Sequence, residues 1–424
     1  AAVLALGTAT TFWAQATIAN IRMPTAFLTA LCLYALARYR QGKSKSSNER
    51  NVILFAFALS LGIGHDLSLA FMGVFFVAYL LMLDVSLLWQ PRRWRRPLLA
   101  FVLGQLPWLY LPIRAAAAPA LELQGLTTLD GFLWYVLGQG FAGDMFAFAG
   151  PPYLWSRLAL LSTLFPFQMN GGLLAAALFG ALVVLWRDWR AGLMLVGGFT
   201  LHTFAAITYR APQTVEYAMP AYVALAVVIG YGAGHLSPPP SQTLEGADVV
   251  SVHNLSSLLA APYSLILNLR FAAAASVIIA GLANGAAHAP SFVALARDRS
   301  TREYVEPILR DAPSNAVILS DWHYATPLWY LQEIERQRPD VTVRYVFPVG
   351  GQEISQVWRG LIDDNLAQRP VVVTHYWGEQ YAALPFIFEP FHQAWLVRSS
   401  PLFDVPRDLN PLSIEFESKI RLVG

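Results

Sequence analysis

Charge is scarce in this sequence. Of its 424 residues only 13% are Asp, Glu, Lys or Arg, about half the share that an ordinary soluble domain carries. Hydrophobic residues make up 56%. That balance excludes a conventional water-soluble globule and describes a membrane protein. The few charges nearly cancel, at +2 overall, and no zinc-finger or basic-helix spacing occurs, so nucleic acid is excluded as a partner. The single cysteine, Cys32, lies in an apolar run and cannot close an intramolecular disulfide; its expected role is packing. Lysine is almost missing, with three Lys against 26 Arg, a bias that accompanies GC-rich bacterial genomes. The chain starts at Ala1 inside an apolar stretch, with neither Met nor the parts of a signal peptide. Sequence upstream of Ala1 is therefore expected.

What is present is a series of long apolar runs. A helix crosses a bilayer in roughly 20 apolar residues, fewer where its ends are anchored at the interface. Nine stretches qualify: 1–16, 24–39, 51–65, 67–85, 98–113, 171–187, 191–209, 217–235 and 271–289. The run 51–85 is too long for one crossing, and GIGHD in its middle marks a turn, so it reads as a hairpin. Nine crossings place twelve basic residues on one side, concentrated in 38–50 and 92–96, and leave four, Arg22, Arg114, Arg157 and Arg210, on the other. The positive-inside rule then orients the twelve toward the cytoplasm.

Residues 1–289 carry 16 basic and 10 acidic residues, a net of +6, whereas residues 290–424 carry 13 and 17, a net of −4. The second part has the patterning of a soluble domain. VILS (317–320), VTVRYV (341–346) and VVVTH (371–375) read as strands, with helices near 301–311, 325–337 and 353–366, which predicts a small α/β domain with a parallel sheet. The stretch 114–170 is an external loop too long for a simple connector, and TLDGFLWYVLGQGF within it has the character of an interfacial helix. A Pro-rich connection from Ser237 leads to a second interfacial stretch at 256–269. The fold class is thus a polytopic α-helical membrane protein with a small C-terminal soluble α/β domain, divided at 289/290.

Ionisable groups at membrane depth are functional candidates by default, because desolvation penalises them unless a partner compensates. On this topology Asn20, Arg22, His65, Asp66, Arg114, Asp130, Asp144, Arg210, Glu216 and Tyr217 all fall on the external side. Arg22, Arg114 and Arg210 either grip a lipid phosphate with their guanidinium forks or snorkel to headgroups. His65-Asp66 is either a proton acceptor, metal ligand or sugar partner, or a solvated turn in which Asp66 caps the next helix. Glu216 and Tyr217 stand opposite Arg210 at the outer boundary, or only pair with it. In the C-terminal domain Asp321, His323 and Tyr324 follow one strand, and His375 and Trp377 follow another; ligands of parallel sheets bind at such strand ends, while aromatic packing is the plainer reading. No His-x-x-x-His pair, DxD triplet or GxSxG occurs. No cofactor is evident, and a divalent metal stays open.

Five segments in register, FWAQATIANIRMPTAFLTALCLYALARYR (12–40), LGIGHDLSLAF (61–71), LYLPIRAAAAP (109–119), TYRAPQTVEYAMPAY (208–222) and AVILSDWHYATPLWYLQEIERQRPDVTV (316–343), resemble a bacterial family of large membrane proteins. That family is similar to the transmembrane protein O-mannosyltransferases and is regarded as having a GT-C glycosyltransferase fold. The resemblance implies a bacterial plasma-membrane enzyme, inverting in mechanism, that takes a sugar from a polyprenyl-phosphate donor. Its acceptor would be a protein or glycan on the outer face, with the C-terminal domain extracytoplasmic. Joined to the reading of the residues themselves, this gives phosphate or substrate binding to Asn20, Arg22, Arg114, Arg210, Glu216 and Tyr217, catalytic or metal-side work to His65 and Asp66, and the acceptor side to Asp321, His323, Tyr324, His375 and Trp377. Two positions depart from the family pattern: Asn20 where Glu is expected, and His65-Asp66 where the turn carries His-His or Asn-His. The catalytic acidic residue of the first external loop would precede Ala1. A transporter or export scaffold that binds glycans without turnover, and an inactive fragment, are the competing readings.

Overall fold

The structure, a computed structural model, describes residues 1–18, 20–42, 44–117, 125–210, 214–236, 256–346, 353–376 and 386–399. The chain divides into two compact units, Ala1–Ala294 and Leu295–Gly424, five residues beyond the boundary expected from charge.

The first unit is helical. Four helices among the described residues are long and apolar enough to cross a membrane: Pro91–Ala116, Trp189–Thr208, Met219–Leu236 and Phe271–Asp311. Pro151–Gln168 and Gly171–Arg187 make a fifth if counted together, although they bend by 114° at their junction. The chain is a multi-pass membrane protein. Other expected spans differ in detail. Residues 1–16 are two short helices, Ala2–Gly7 and Thr10–Ala16, and Arg22–Gln41 and Lys45–His65 reach 20 and 21 residues with basic residues at their ends. The separate interfacial stretch expected at 256–269 belongs to one continuous helix, Ser256–Arg297. Aliphatic side chains along Pro91–Ala116, among them Leu98, Val102, Leu109 and Ile113, face outward, as a lipid-facing helix requires.

Inside the bundle, packing is close where side chains are small. Gly180 on Gly171–Arg187 crosses Met219–Leu236 so tightly that a Cβ at Gly180 would lie 2.2 Å from the Val228 carbonyl oxygen, and one at Gly232 would lie 2.7 Å from the Gly180 Cα. Such small-residue crossings replace the hydrophobic driving force that lipid does not supply. Cys32 is fully buried and free, packed with Leu28, Leu36, Phe76 and Tyr222 in the main core. A second device is polar. Buried Asn284 donates to the Thr8 carbonyl (2.8 Å) and the Gln168 carbonyl (3.1 Å) and accepts from the Asn170 amide (2.9 Å). Gln168 in turn makes paired bonds with Thr11, at 2.7 and 2.9 Å. Every polar atom of Asn284 is thus satisfied, which is the condition for keeping amides in a low-dielectric interior.

The hairpin expected at GIGHD is present. Lys45–His65 starts on the Ser44 cap and ends where the Asp66 amide closes on the Gly62 carbonyl at 2.8 Å. The Asp66 carboxylate then accepts from the Ser68 amide at 3.0 Å, just before Leu69–Leu83.

In the second unit, Ser300–Asp311 precedes β1 (Val317–Ser320), followed by the Trp322–Trp329 helix, β2 (Thr342–Tyr345), the Ile354–Leu366 helix, β3 (Val371–Val373), β4 (Ile387–Phe391) and β5 (Ala394–Arg398). The sheet order is β2-β1-β3-β5-β4. β2, β1 and β3 are parallel, but β5 runs antiparallel to both β3 and β4, which amends the expected all-parallel sheet. Ile318 and Val372 pack against Val305, Ile308 and Leu328 on one face, and Val317, Leu319 and Val373 pack against Trp358 and Ile362 on the other. With both faces covered, VILS is apolar without alternation up to its last residue. A basic clasp closes the turn before β2: Arg338 donates to the Arg310 and Ala312 carbonyls (2.7 Å each) and pairs with Asp340 at 2.7 Å. That guanidinium holds the Asp340 carboxyl below the usual carboxylate range.

Candidate functional site

The residues that cluster lie around the GIGHD turn. Arg22 opens its helix with its amide bonded to the Asn20 side-chain oxygen at 2.7 Å. Its guanidinium donates to Asp66 Oδ2 at 2.9 Å, and both side chains are nearly buried, 9% and 14% exposed. The same guanidinium lies 3.9 Å from the centre of the Tyr217 ring, a cation–π contact reinforced by desolvation. Tyr217 also meets Tyr209 edge-on at 5.1 Å. Asn20, Arg22, Asp66 and Tyr217, separated by up to 197 residues of chain, form one constellation.

His65 is exposed, and its Nε2 is 2.5 Å from the Ile21 carbonyl oxygen. A carbonyl only accepts, so Nε2 carries the proton and Nδ1 holds the free lone pair in the neutral ring. Asp66 is the more constrained group: one carboxylate oxygen takes Arg22, the other the Ser68 amide. An Asx-type turn at Asp66 is therefore present together with the ion pair, although the Leu69–Leu83 helix has Ser68 at its N-cap and no side-chain cap.

Arg210 does not pair with Glu216. Its side chain bonds the Asp144 carboxylate at 2.6 Å and its amide donates to the Asp144 carbonyl at 3.0 Å. The Phe148 amide donates to the Thr208 carbonyl at 3.0 Å in the same contact. This stitches the segment before Gly150 to the end of Trp189–Thr208, aided by Arg157, which donates to the Ile207 carbonyl at 2.8 Å and stacks on Phe148. The stretch 114–170 holds three helices, Leu129–Val136, Pro151–Ala159 and Leu161–Gln168, where one was expected. Arg210 stays 61% exposed. Arg114 is exposed near the end of Tyr110–Ala116, whose run-in is anchored to the same turn by Trp108 Nε1 donating to the Gly64 carbonyl at 2.6 Å. Glu216 is half-buried and makes no bond with another described residue.

A residue that sequence reading missed is His202. It is 1% exposed, its Nε2 lies 3.3 Å from Ser68 Oγ, and its Nδ1 has no partner among the described residues. An imidazole inside an otherwise apolar spanning helix was itself the signal.

In the second unit, Asp321 and His375 follow the adjacent carboxyl ends of β1 and β3, where the hydroxyls of Ser320 and Thr374 meet at 3.1 Å. This is the point at which strand order reverses. Asp321 caps the next helix through the Tyr324 amide at 3.2 Å, and Tyr324 stacks on Tyr304 at 4.4 Å. Trp322 is exposed beside Tyr345, whose phenol is pushed up by burial, with a smaller push from the Asp321 carboxylate. His323 is exposed. Trp377 lies outside the described residues. Among the described residues, no three His, Cys, Asp or Glu side chains are grouped to hold a metal ion.

Compared with solved structures, the chain aligns with the crystal structure of ArnT from Cupriavidus metallidurans bound to undecaprenyl phosphate. The match covers 93% of this chain and 77% of that one, at a TM-score of 0.55 and 14% identity. The fold is that of ArnT. Residues 1–88 match the domain family described as Protein O-mannosyl-transferase TMEM260 N-terminal domain. That segment contains Asn20, Arg22, His65 and Asp66, so the part of the site built on the hairpin lies within the matched region. None of the curated protein sequences matches. Both findings agree with the GT-C and O-mannosyltransferase resemblance drawn from the five segments.

Proposed function

We propose that the protein transfers a sugar from a polyprenyl-phosphate donor to an acceptor at the outer face of a bacterial plasma membrane. The observation that carries this reading is the convergence of Arg22, Asp66, His65 and Tyr217 on one turn of an ArnT-like bundle. The ArnT structure was obtained with undecaprenyl phosphate bound.

The chemistry is a direct displacement. The acceptor oxygen attacks the anomeric carbon, the bond from that carbon to the phosphate oxygen breaks with its electron pair leaving on the phosphate, and the hydroxyl proton passes to a base. Arg210 and Arg114, both exposed, stabilise the leaving phosphate, and Arg22 presents its remaining N–H groups to the same charge. Asp66 holds the Arg22 guanidinium in place, and His65 Nδ1 is the proton acceptor this chain offers. Asn20 fixes the start of the Arg22 helix, and Glu216 with Tyr217 closes the site from the opposite segment. On this reading the C-terminal domain is extracytoplasmic, and Asp321, His323, Tyr324 and His375 are its candidates for binding the acceptor.

The test is transfer from radiolabelled polyprenyl-phosphate sugars by the purified full-length protein. Arg114→Ala and Arg210→Ala are each expected to lower turnover by about 10²-fold, the usual cost of removing one transition-state donor. Turnover unchanged in both variants removes the phosphate roles, and glycan binding without turnover in the wild type favours the scaffold reading.

A further inference from the structure

We infer that His202 is a positioning residue, which sets the Arg22–Asp66 pair from behind through Ser68. This rests on the transferase reading and extends it to a residue that touches neither donor nor acceptor. The imidazole is buried in the Trp189–Thr208 helix with one nitrogen, Nδ1, facing no partner among the described residues. Buried polar atoms without partners are rare and each calls for an explanation. Packing does not supply one, because a leucine would fill the same space with no polar atom to satisfy.

The other nitrogen explains the choice. His202 Nε2 holds Ser68 Oγ at 3.3 Å. The amide of the same Ser68 donates to Asp66 Oδ1 at 3.0 Å, and the second carboxylate oxygen of Asp66 takes Arg22 at 2.9 Å. Arg22 then rests on the Tyr217 ring. The Leu69–Leu83 helix opens at this point without a side-chain cap. The His202 contact therefore fixes the one residue that connects the turn to that helix. Its effect passes through the Asp66 rotamer to the guanidinium that meets phosphate. Geometry of this kind is held by supporting hydrogen bonds and is loosened when they are removed.

Four variants of the full-length protein separate this from a structural role: His202→Leu, His202→Gln, His202→Asn and Ser68→Ala. Gln carries a polar group out to the position of Nε2, and Asn carries one only as far as Nδ1. Polyprenyl phosphate is titrated by ligand-induced thermal shift, and kcat and KM are measured with the lipid-linked donor. His202→Leu and Ser68→Ala are expected to weaken phosphate binding and raise KM by about tenfold, the lower end of what removal of a supporting partner does. The ligand-free melting temperature of His202→Leu stays level or rises, since an unpartnered nitrogen has been removed. Gln restores most of the affinity and Asn does not. Wild-type affinity in His202→Leu overturns the inference, as does a fall in melting temperature that tracks the loss of affinity without rescue by Gln. A wild-type protein that neither binds polyprenyl phosphate nor turns over any donor overturns the transferase reading itself, and this inference with it.

Discussion

Replacing Asp66 by Asn removes one charge and leaves the shape of the turn. Asn accepts from the backbone amide two residues on as Asp does, so the bond from the Ser68 amide survives, and the change isolates the ion pair. With Arg22 and Asp66 only 9% and 14% exposed, the guanidinium left behind is a nearly buried cation whose sole remaining compensation is the Tyr217 ring. Removing one partner of such a pair costs about 3–5 kcal/mol, and the ring contact, present with or without the carboxylate, does not offset it. For a unit of this size, where 1 kcal/mol shifts the midpoint by about 2–3 °C, melting should fall on the order of 10 °C. The assay is thermal unfolding of detergent-solubilised full-length protein, run on Asp66→Asn, Arg22→Met and the double variant. The double variant removes both charges and should be more stable than Asp66→Asn alone, a strongly non-additive cycle. Additive effects, or a drop of only a degree or so in Asp66→Asn, would refute the claim that this pair is coupled and dry.

Three further outcomes follow from the packing. Gly180→Ala drives a methyl into the Val228 carbonyl and should cost about 1–3 kcal/mol as overpacking, seen as a lower melting temperature, while Ala at Gly143, which has open space around it, should change little. Asn284→Leu strips hydrogen bonds from the Asn170 amide and from the Thr8 and Gln168 carbonyls, and should destabilise by about 1–3 kcal/mol per group left unsatisfied; proteolysis between the early helices and Gly171–Arg187 reads the loosening. In the second unit the Asp340 carboxyl titrates below its ordinary value because of Arg338. Its stabilisation is complete above the unfolded pKa of about 4 and is lost as pH falls below it, so acid melting of that unit should be shallower in Arg338→Met.

Much of the hairpin and of the C-terminal core was legible in the sequence. GIGHD interrupts an apolar run with two glycines and two ionisable residues, and helix interiors at membrane depth rarely admit that combination. VILS and VVVTH are short, apolar and rich in β-branched residues, as doubly covered strands are. The antiparallel strands β4 and β5 escaped because IFEPF carries a proline within it and reads as a non-strand, although proline is tolerated on an edge. The partner of Arg210 was not legible, and the pairing with Glu216 that the sequence left open is not the one formed. Glu216 is near in sequence, but Asp144 is brought in by a loop whose backbone pairs with the helix end, and no local pattern encodes that. Arg22 and Asp66 were both singled out as outer-side residues. Their union across 44 residues depended on two helices packing side by side, which periodicity does not specify.

The crossing at Gly180 and Gly232 has a mechanical consequence. Where backbone touches backbone there are no rotamers to exchange, so the two helices cannot slide by small side-chain adjustments as leucine-lined neighbours do. They form one rigid pair within the first unit. Any opening between helices of this unit must then be hinged elsewhere.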